Sequence, residues 1–189
     1  MKKPATTLPN GGIYTGEWVG TARDGFGVQQ WPDGSRYEGY YRQDRATGYG
    51  KLYHADGDTY EGDWLNDQAH GQGTYTHMNG AQYKGEWFED EQHGHGQESW
   101  PDGARYEGQY DKGRKHGRGK LVFPEESYYE GEFNENEICG VGRYYWPDGK
   151  QYSGQWLENK MHGAGILKWP DGRTYEGNFV YKINEKLRA

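Results

Sequence analysis

Aromatic residues and glycines recur along this chain at alternate positions, separated by polar residues. A tyrosine is followed two positions later by glycine and four positions later by a second aromatic residue, as in Tyr-Glu-Gly-Asp-Trp at residues 60–64. Because successive side chains of a strand point to opposite faces, this spacing predicts a β-strand with its aromatic residues on one face. The segment 71–77, which begins Gly-Gln-Gly, predicts the return strand of a β-hairpin.

The glycines of this pattern predict how the two strands pair. Glycine weakens a strand, so glycines that recur beside bulky aromatic residues indicate rings packed closely over bare backbone. The predicted cross-strand pairs of this hairpin are Tyr60 with Tyr75, Gly62 with Gly73, and Trp64 with Gly71. Pro-Asp-Gly segments such as residues 32–34 are typical of turns and predict the connection to the next hairpin.

The pattern recurs every 23 residues without a slip. The tyrosines that mark it are Tyr14, Tyr37, Tyr60, Tyr83, Tyr106, Tyr129, Tyr152 and Tyr175. They predict seven full units, which start at residues 14, 37, 60, 83, 106, 129 and 152, and a partial eighth unit at 175. The chain is thereby divided into an N-terminal extension or edge at 1–13, a repeat array at 14–179 and a C-terminal cap or tail at 180–189.

The motif Tyr-x-Gly-Glu-Trp, followed by His-Gly-x-Gly and Pro-Asp-Gly, resembles the MORN repeat family over residues 14–179. The resemblance implies an all-β fold in which β-hairpin repeats stack into an elongated, single-layer antiparallel sheet. Neighbouring strands lie about 4.8 Å apart, so units stacked side by side form a long structure. We therefore expect a twisted rod with an aromatic-lined groove. The family resemblance also implies a place in cytoskeletal, ciliary or flagellar assemblies.

The composition changes this picture by excluding a conventional core. Hydrophobic residues make up only 32% of the chain, but aromatic residues reach 16%, and the net charge is −7. Disordered chains are poor in aromatic residues, so we expect a folded chain without an aliphatic core. No segment encodes a second sheet or a covering helix. We therefore expect the aromatic face to stay uncovered over more than the few hundred Å² usual for a soluble monomer.

An uncovered aromatic face predicts a non-enzymatic scaffold that binds an extended or helical segment of a partner protein. The predicted contact residues on this face are Tyr37, Tyr60, Trp64, Tyr83, Trp87, Trp100, Tyr106 and Tyr110. Self-association through the same face, which would give a homodimer, is the alternative occupant.

A basic stretch in this acidic chain predicts a second binding mode. Its cationic residues are Lys112, Arg114, Lys115, Arg118 and Lys120. They would meet phosphoinositide lipid at a membrane surface or an acidic protein partner, although a turn that is merely basic also explains them. A third hypothesis is an accessory subunit of an enzyme carried on a separate chain, because related repeats accompany enzymes.

No pattern in the sequence indicates catalysis, and we expect no enzymatic activity, no cofactor and no metal. The histidines His70, His93, His116 and His162 occupy one equivalent position per unit. Units about 10 Å apart cannot share one ion whose ligands lie about 2 Å away. The carboxylates also recur in equivalent positions, whereas an acid–base pair needs two different environments.

Three properties of the sequence indicate where the protein is located, namely its charge, its cysteine content and its hydropathy. A net charge of −7 argues against nucleic-acid binding, and the single Cys139 fits a reducing compartment. No apolar stretch approaches the roughly 20 residues that span a bilayer. We therefore expect a cytoplasmic, cytoskeleton- or cilium-associated protein without a signal peptide or transmembrane segment.

Two local departures from the repeat predict departures from its structure. Glu126 stands where the turn glycine belongs, which predicts a changed turn because glutamate tolerates positive φ poorly. The segment 180–189 is no longer glycine-rich, and we expect it to form a short cap, such as a helical turn. The alternative is an end that binds a partner or forms a dimer.

Overall fold

The computed structural model describes residues 1–182, which form sixteen strands and no helix. The strands pair in chain order in one antiparallel sheet, so each strand lies beside the strands that precede and follow it in sequence. The all-β fold of hairpin repeats is thus confirmed. Two compact units divide the chain, Met1–His93 and Gly94–Ala189.

The first unit contains strands β1 to β8. Their bounds are β1 Lys2–Thr7, β2 Ile13–Val19, β3 Ala22–Gln30, β4 Arg36–Arg42, β5 Arg45–Tyr53, β6 Thr59–Leu65, β7 Gln68–Thr76 and β8 Gln82–Phe88. Strand β9, Glu91–Ser99, begins at the end of this unit and continues into the second. The remaining strands of the second unit are β10 Arg105–Asp111, β11 Arg114–Val122, β12 Tyr128–Asn134, β13 Glu137–Tyr145, β14 Gln151–Leu157, β15 Lys160–Lys168 and β16 Thr174–Lys182.

The hairpin of β6 and β7 has the predicted register over most of its length. Tyr60 pairs with Tyr75 and Gly62 pairs with Gly73, as the alternation of side chains requires. The predicted pair at the outer end is wrong, because a β-bulge shifts the register and places Trp64 opposite Ala69.

The bulge arises at a glycine of the return strand. Gly71 has a φ of 69°, in the left-handed region that suits glycine, and it pairs with Trp87 of the next hairpin instead of with Trp64. Corresponding register shifts occur in the other hairpins, between Gly39 and Tyr41 and between Gly131 and Glu132, for example. The bulge is therefore a feature of the repeat and not a local defect.

From the second repeat to the seventh, each hairpin closes through a two-residue turn in which both residues have positive φ. In the third repeat these residues are Asn66 and Asp67, with φ values of 50° and 70°. Such turns match the right-handed twist of paired strands and favour asparagine and aspartate. The Asp67 carboxylate also accepts a 2.7 Å hydrogen bond from the Ala46 amide, which links the turn to the preceding hairpin.

The Pro-Asp-Gly segments form the predicted turns between hairpins. In the first of them Gly34 has a φ of 93°, and its amide donates a 3.0 Å hydrogen bond to the Trp31 carbonyl. The change of turn expected at Glu126 is wrong. Glu126 adopts a φ of 67° and donates the equivalent bond to the Phe123 carbonyl at 2.9 Å.

The two ends of the described chain are both strands. Residues Lys2–Thr7 form β1, which pairs with β2. Strand β16 continues to Lys182, so residues 180–182, where we expected the cap to begin, extend a strand. The rest of the predicted cap, residues 183–189, lies outside the described residues.

Candidate functional site

The aromatic face of the sheet carries the repeat tyrosines, and a tyrosine such as Tyr60 lies over a pair of glycines, Gly62 and Gly73. A Cβ atom built on Gly73 would lie 2.3 Å from the Tyr60 hydroxyl oxygen and 2.6 Å from its ring carbons. Only glycine therefore leaves room for the ring at this position. The same arrangement places Tyr106 over Gly119 in the second unit, where a Cβ would lie 2.4 Å from the hydroxyl oxygen.

From the second repeat onward, aromatic rings of the fourth position pack edge-on between the tyrosines of two repeats. In the first unit the Trp64 ring lies 5.3 Å from Tyr37 and 5.0 Å from Tyr60, with interplanar angles of 88° and 87°. Its indole N–H donates a 3.1 Å hydrogen bond to the Gly50 carbonyl. Edge-to-face packing of this kind is favourable for aromatic rings and satisfies the polar edge of the indole.

This packing contradicts the expectation of an open aromatic face. Seven of the eight predicted contact residues are 9% exposed or less. These are Tyr37, Tyr60, Trp64, Tyr83, Trp87, Tyr106 and Tyr110. Burial accordingly raises the pKa of the Tyr60 phenol. The column of rings is the core of the sheet, supplied by the repeats themselves, and it offers little surface to a partner.

The eighth predicted residue, Trp100, remains half-buried and marks the part of this face that is open. It occupies the last position of the repeat before the inter-hairpin turn. Half-buried tryptophans stand at the same position in other repeats, namely Trp31, Trp146 and Trp169. The sequence analysis missed these three residues, although their fixed place before Pro-Asp-Gly was visible in it.

Two tryptophans of the second unit, Trp100 and Trp146, pack against neighbouring side chains. Trp146 lies 4.6 Å from the buried Tyr144, between ring centroids, and the Lys150 ammonium lies 4.3 Å above it. The Lys115 ammonium lies 5.0 Å from the Trp100 ring. Each indole thus has one side held by neighbours and another side open.

The predicted basic patch is divided between the two faces of the sheet. Lys115 lies on the aromatic face, where it pairs with Tyr110 across the hairpin and forms a 3.0 Å ion pair with Glu98. Arg118 and Lys120 stand on the opposite, polar face, where they pair with Glu132 and Glu130 of the next strand.

The two remaining cationic residues lie at the hairpin turn. Lys112 is a turn residue with a φ of 48°, and Arg114 lies 3.2 Å from Glu135. The structure therefore does not gather the five cations into one surface, and binding of acidic lipid or protein by this stretch stays a prediction.

A polar cluster lies at the end of the aromatic face in the first unit. The Asp58 carboxylate accepts hydrogen bonds from the Tyr75 hydroxyl at 2.7 Å and from the Met78 amide at 2.9 Å, and it lies 3.2 Å from His77 Nδ1. These donors lower the pKa of Asp58 from its ordinary value of 3.8, the Tyr75 hydroxyl most strongly.

Two histidines of the repeated position pack against an aromatic ring. His70 and His93 flank the Phe88 ring, with ring centroids 5.2 Å and 5.8 Å from it. Among the described residues, no group of three or more histidine, cysteine or acidic side chains is arranged to hold a metal ion. No helix in this part of the chain is long and apolar enough to cross a membrane.

Comparison with known proteins gives one family and one fold. The model of the MORN repeat matches seven consecutive segments, residues 14–36, 37–59, 60–82, 83–105, 106–128, 129–151 and 152–172. No curated protein matches the chain.

Among solved structures, the chain is similar to the SAS-4 (dCPAP) TCP domain of Drosophila melanogaster, solved in complex with a proline-rich motif of Ana2 (dSTIL). The identity is 13% with a TM-score of 0.52, and the match covers 94% of this chain and 90% of that one. The wild-type TCP10 domain of Danio rerio CPAP matches at 16% identity and a TM-score of 0.42, over 93% of this chain and 99% of that one. The first of these similarities shows a shared fold.

Proposed function

The chain belongs to the MORN repeat family, and from this premise we propose that it is a non-enzymatic interaction module that binds a segment of a partner protein on its aromatic face. The surface that makes the contact is the half-buried tryptophan row and not the buried ring column. In the second unit its members are Trp100, Trp146 and Trp169, and the proposal is argued on the first two.

One observation carries this proposal: these indoles are fixed by their neighbours and yet open on one side. The Trp146 ring rests on Tyr144, which is 1% exposed, so the indole is presented in a set orientation. Tryptophans dominate the energetics of protein interfaces because they bury a large area at a small cost in side-chain entropy. A partner segment that covers Trp146 would complete its burial.

The fold supports a peptide or helix as the partner. Residues 1–182 form a single sheet without a covering helix, so an incoming segment meets the sheet directly. In the fold shared with the Drosophila SAS-4 domain, a proline-rich motif is the bound segment of that protein. We place the chain in a cytoskeletal or ciliary assembly in the cytoplasm on the strength of the family resemblance alone.

Site-specific photo-crosslinking tests this proposal. A photoreactive phenylalanine analogue is placed at Trp146, or at Val141 as a control, in the full chain and irradiated in lysate. Val141 is 56% exposed and pairs with Gln155, on the polar face. We expect one partner protein to be captured from position 146 and not from position 141.

The captured partner must then depend on the indoles. Replacing both Trp100 and Trp146 with alanine is expected to leave the protein folded and to abolish binding of the captured partner. The same set of captured proteins at both positions, or unchanged binding by the double variant, contradicts the proposal. Capture of a second copy of the chain identifies a homodimer instead, and flotation of the purified protein on phosphoinositide vesicles identifies a membrane module.

A further inference from the structure

The eighth repeat, which begins at Tyr175, has only the first strand of its hairpin among the described residues. In the seventh repeat, Glu158 and Asn159 form the turn that follows β14 and leads into the return strand. The corresponding residues of the eighth repeat, Tyr181 and Lys182, belong to β16 instead. The described chain therefore does not turn back beside β16, and none of its strands pairs with the outer edge of β16.

The repeat tyrosine is exposed where the return strand is lacking. Tyr175 is 49% exposed, whereas the tyrosines that begin the seven full repeats are at most 2% exposed. The Tyr175 ring keeps the inner half of the usual packing. It contacts Phe179 edge-on with centroids 5.5 Å apart, and a Cβ on Gly177 would lie 2.7 Å from its hydroxyl oxygen. The outer half of this packing, which the return strand supplies in a full repeat, is open.

The full repeats show what a strand at this edge must contain. In the second repeat Gly39 pairs with Gly50 of the return strand, and a Cβ on Gly50 would lie 2.3 Å from the Tyr37 hydroxyl oxygen. The corresponding distance is 2.2 to 2.5 Å for Gly27, Gly73, Gly119, Gly142 and Gly165. A strand beside β16 must therefore place a glycine opposite Gly177 if the Tyr175 ring is to be covered in the same way.

The residue after that glycine would face Glu176. Four full repeats have glutamate at this position, and in three of them its partner on the return strand is a cation, namely in the pairs Glu38 with Lys51, Glu107 with Lys120 and Glu130 with Arg143. On the inner side Glu176 pairs with Ile166, and Lys168 lies diagonal to it, opposite Thr174. Because a directly opposed side chain is nearer than a diagonal one, lysine or arginine is favoured in the incoming strand.

A second copy of the chain offers two edge strands among its described residues, and neither fits. Strand β1 contains no glycine and includes Pro4, which has no amide hydrogen. Strand β16 contains Gly177, but pairing Gly177 with its equivalent in another copy would place two Tyr175 rings over one pair of glycines. The pair Gly62 and Gly73 holds a single ring. The occupant is therefore a strand of a different protein.

We propose that a strand of a partner protein completes the eighth repeat, with glycine opposite Gly177 followed by a basic and then an apolar residue. Strand addition gains affinity from backbone hydrogen bonds and specificity from the side chains that alternate along the strand. The apolar residue would lie opposite Tyr175, as Leu52 lies opposite Tyr37 in the second repeat. Residues 183–189 contain no glycine and do not supply this sequence.

Titration of the full chain with a synthetic peptide tests the site. The peptide carries the sequence of residues 49–53, Tyr-Gly-Lys-Leu-Tyr, flanked by threonines, so that its single glycine sets the register. It is labelled with fluorescein, and we expect saturable binding by fluorescence anisotropy with a Kd below about 1 mM. A control peptide with alanine for the glycine is expected to bind at least about tenfold more weakly, because its Cβ would meet the Tyr175 ring.

A reversal of charge at the exposed Glu176 tests where the peptide lies. Glu176→Lys is expected to weaken binding of the lysine peptide by about threefold and to strengthen binding of a peptide with glutamate for lysine by about the same factor. Glu89→Lys makes the same change of charge in a hairpin turn of the first unit. This matched control is expected to leave the ratio of the two affinities unchanged.

Three results overturn the proposal, namely no binding by the wild type at about 1 mM, equal binding of the alanine peptide, or a ratio of affinities that Glu176→Lys does not change. Dimerisation of the chain that the peptide reverses, measured by light scattering, assigns the edge to a second copy and also overturns it. The double variant with alanine at Trp100 and Trp146 is expected to bind the peptide with unchanged affinity. The strand site therefore stands or fails independently of the function proposed above.

Discussion

The hydroxyl group of Tyr60 donates a 2.8 Å hydrogen bond to the backbone carbonyl of Asp63, the residue that the β-bulge leaves unpaired within its hairpin. Tyr129 makes the same bond to the Glu132 carbonyl at 3.0 Å. The repeat tyrosine thus has two functions. Its ring fills the space above the glycine pair, and its hydroxyl satisfies the backbone at the bulge that the glycine creates.

A substitution that removes only the hydroxyl group tests its role separately from that of the ring. In Tyr60→Phe the ring stays and the bond is lost, so we expect the free energy of unfolding to fall by about 1 kcal/mol. Urea denaturation followed by tryptophan fluorescence measures the change. The control Tyr53→Phe, on a half-buried ring, is expected to change stability by less than about 0.5 kcal/mol. Equal effects of the two substitutions would contradict the assignment.

The glycine under each tyrosine is expected to be the least replaceable residue of the repeat. An alanine at Gly119 would place its Cβ 2.4 Å from the Tyr106 hydroxyl oxygen, and the ring has no room to retreat. We expect Gly119→Ala to destabilise the protein by about 3 kcal/mol or more. Thermal denaturation followed by circular dichroism measures the loss.

The matched control for that substitution is Gly103→Ala. Gly103 has a φ of 95° and open space around its Cβ, so only backbone strain of about 1 kcal/mol is expected. If Gly103→Ala were as destabilising as Gly119→Ala, conformation and not ring packing would explain the requirement for glycine.

The turn at Glu126 offers a stabilising substitution. Glu126 holds a φ of 67° where the other inter-hairpin turns have glycine, and a non-glycine residue in this region carries about 1 kcal/mol of strain. We expect Glu126→Gly to raise the free energy of unfolding by up to about 1 kcal/mol, as measured by urea denaturation. Glu125 stands at the preceding position without a positive φ, so Glu125→Gly is expected to lower the free energy of unfolding. An increase in both variants would contradict the assignment of strain to Glu126.

The Asp58 cluster predicts an acid-sensitive contribution to stability. The pKa of Asp58 in the folded protein is lower than its ordinary value of 3.8, because the Tyr75 hydroxyl and the Met78 amide donate to the ionised carboxylate. Its contribution is therefore present above pH 3.8 and is lost as the pH falls through the lower folded value. The urea midpoint of wild type should drop between pH 5 and pH 2 by more than that of Asp58→Asn. Parallel pH profiles would show that Asp58 contributes nothing of this kind.

The alternation of aromatic and polar residues was sufficient to predict the fold and part of its register. It placed Tyr60 opposite Tyr75 correctly because a slip of one residue would turn the aromatic side chains of a strand to the polar face. It could not predict the bulge, because Gly71 suits both a pairing position and a left-handed one, and the pattern of faces does not distinguish them.

The candidate site was harder to predict, because exposure depends on neighbours in the preceding repeat. The burial of Trp64 follows from its contacts with Tyr37 and Tyr60, which belong to two different repeats. The sequence of a single repeat does not show these contacts, so every ring is predicted to be exposed to a partner. The tryptophan row could have been found, since Trp100 and Trp146 each stand directly before a Pro-Asp-Gly turn.

The pairing of every strand with its sequence neighbours has a consequence for synthesis on the ribosome. No strand among the described residues pairs with a distant segment, so no hydrogen-bond partner of an early hairpin is made much later. Low contact order of this kind favours fast folding, and it lets a nascent chain acquire structure in the order in which it is translated. The chain can therefore bury its early aromatic rings, repeat by repeat, before the last repeat leaves the exit tunnel.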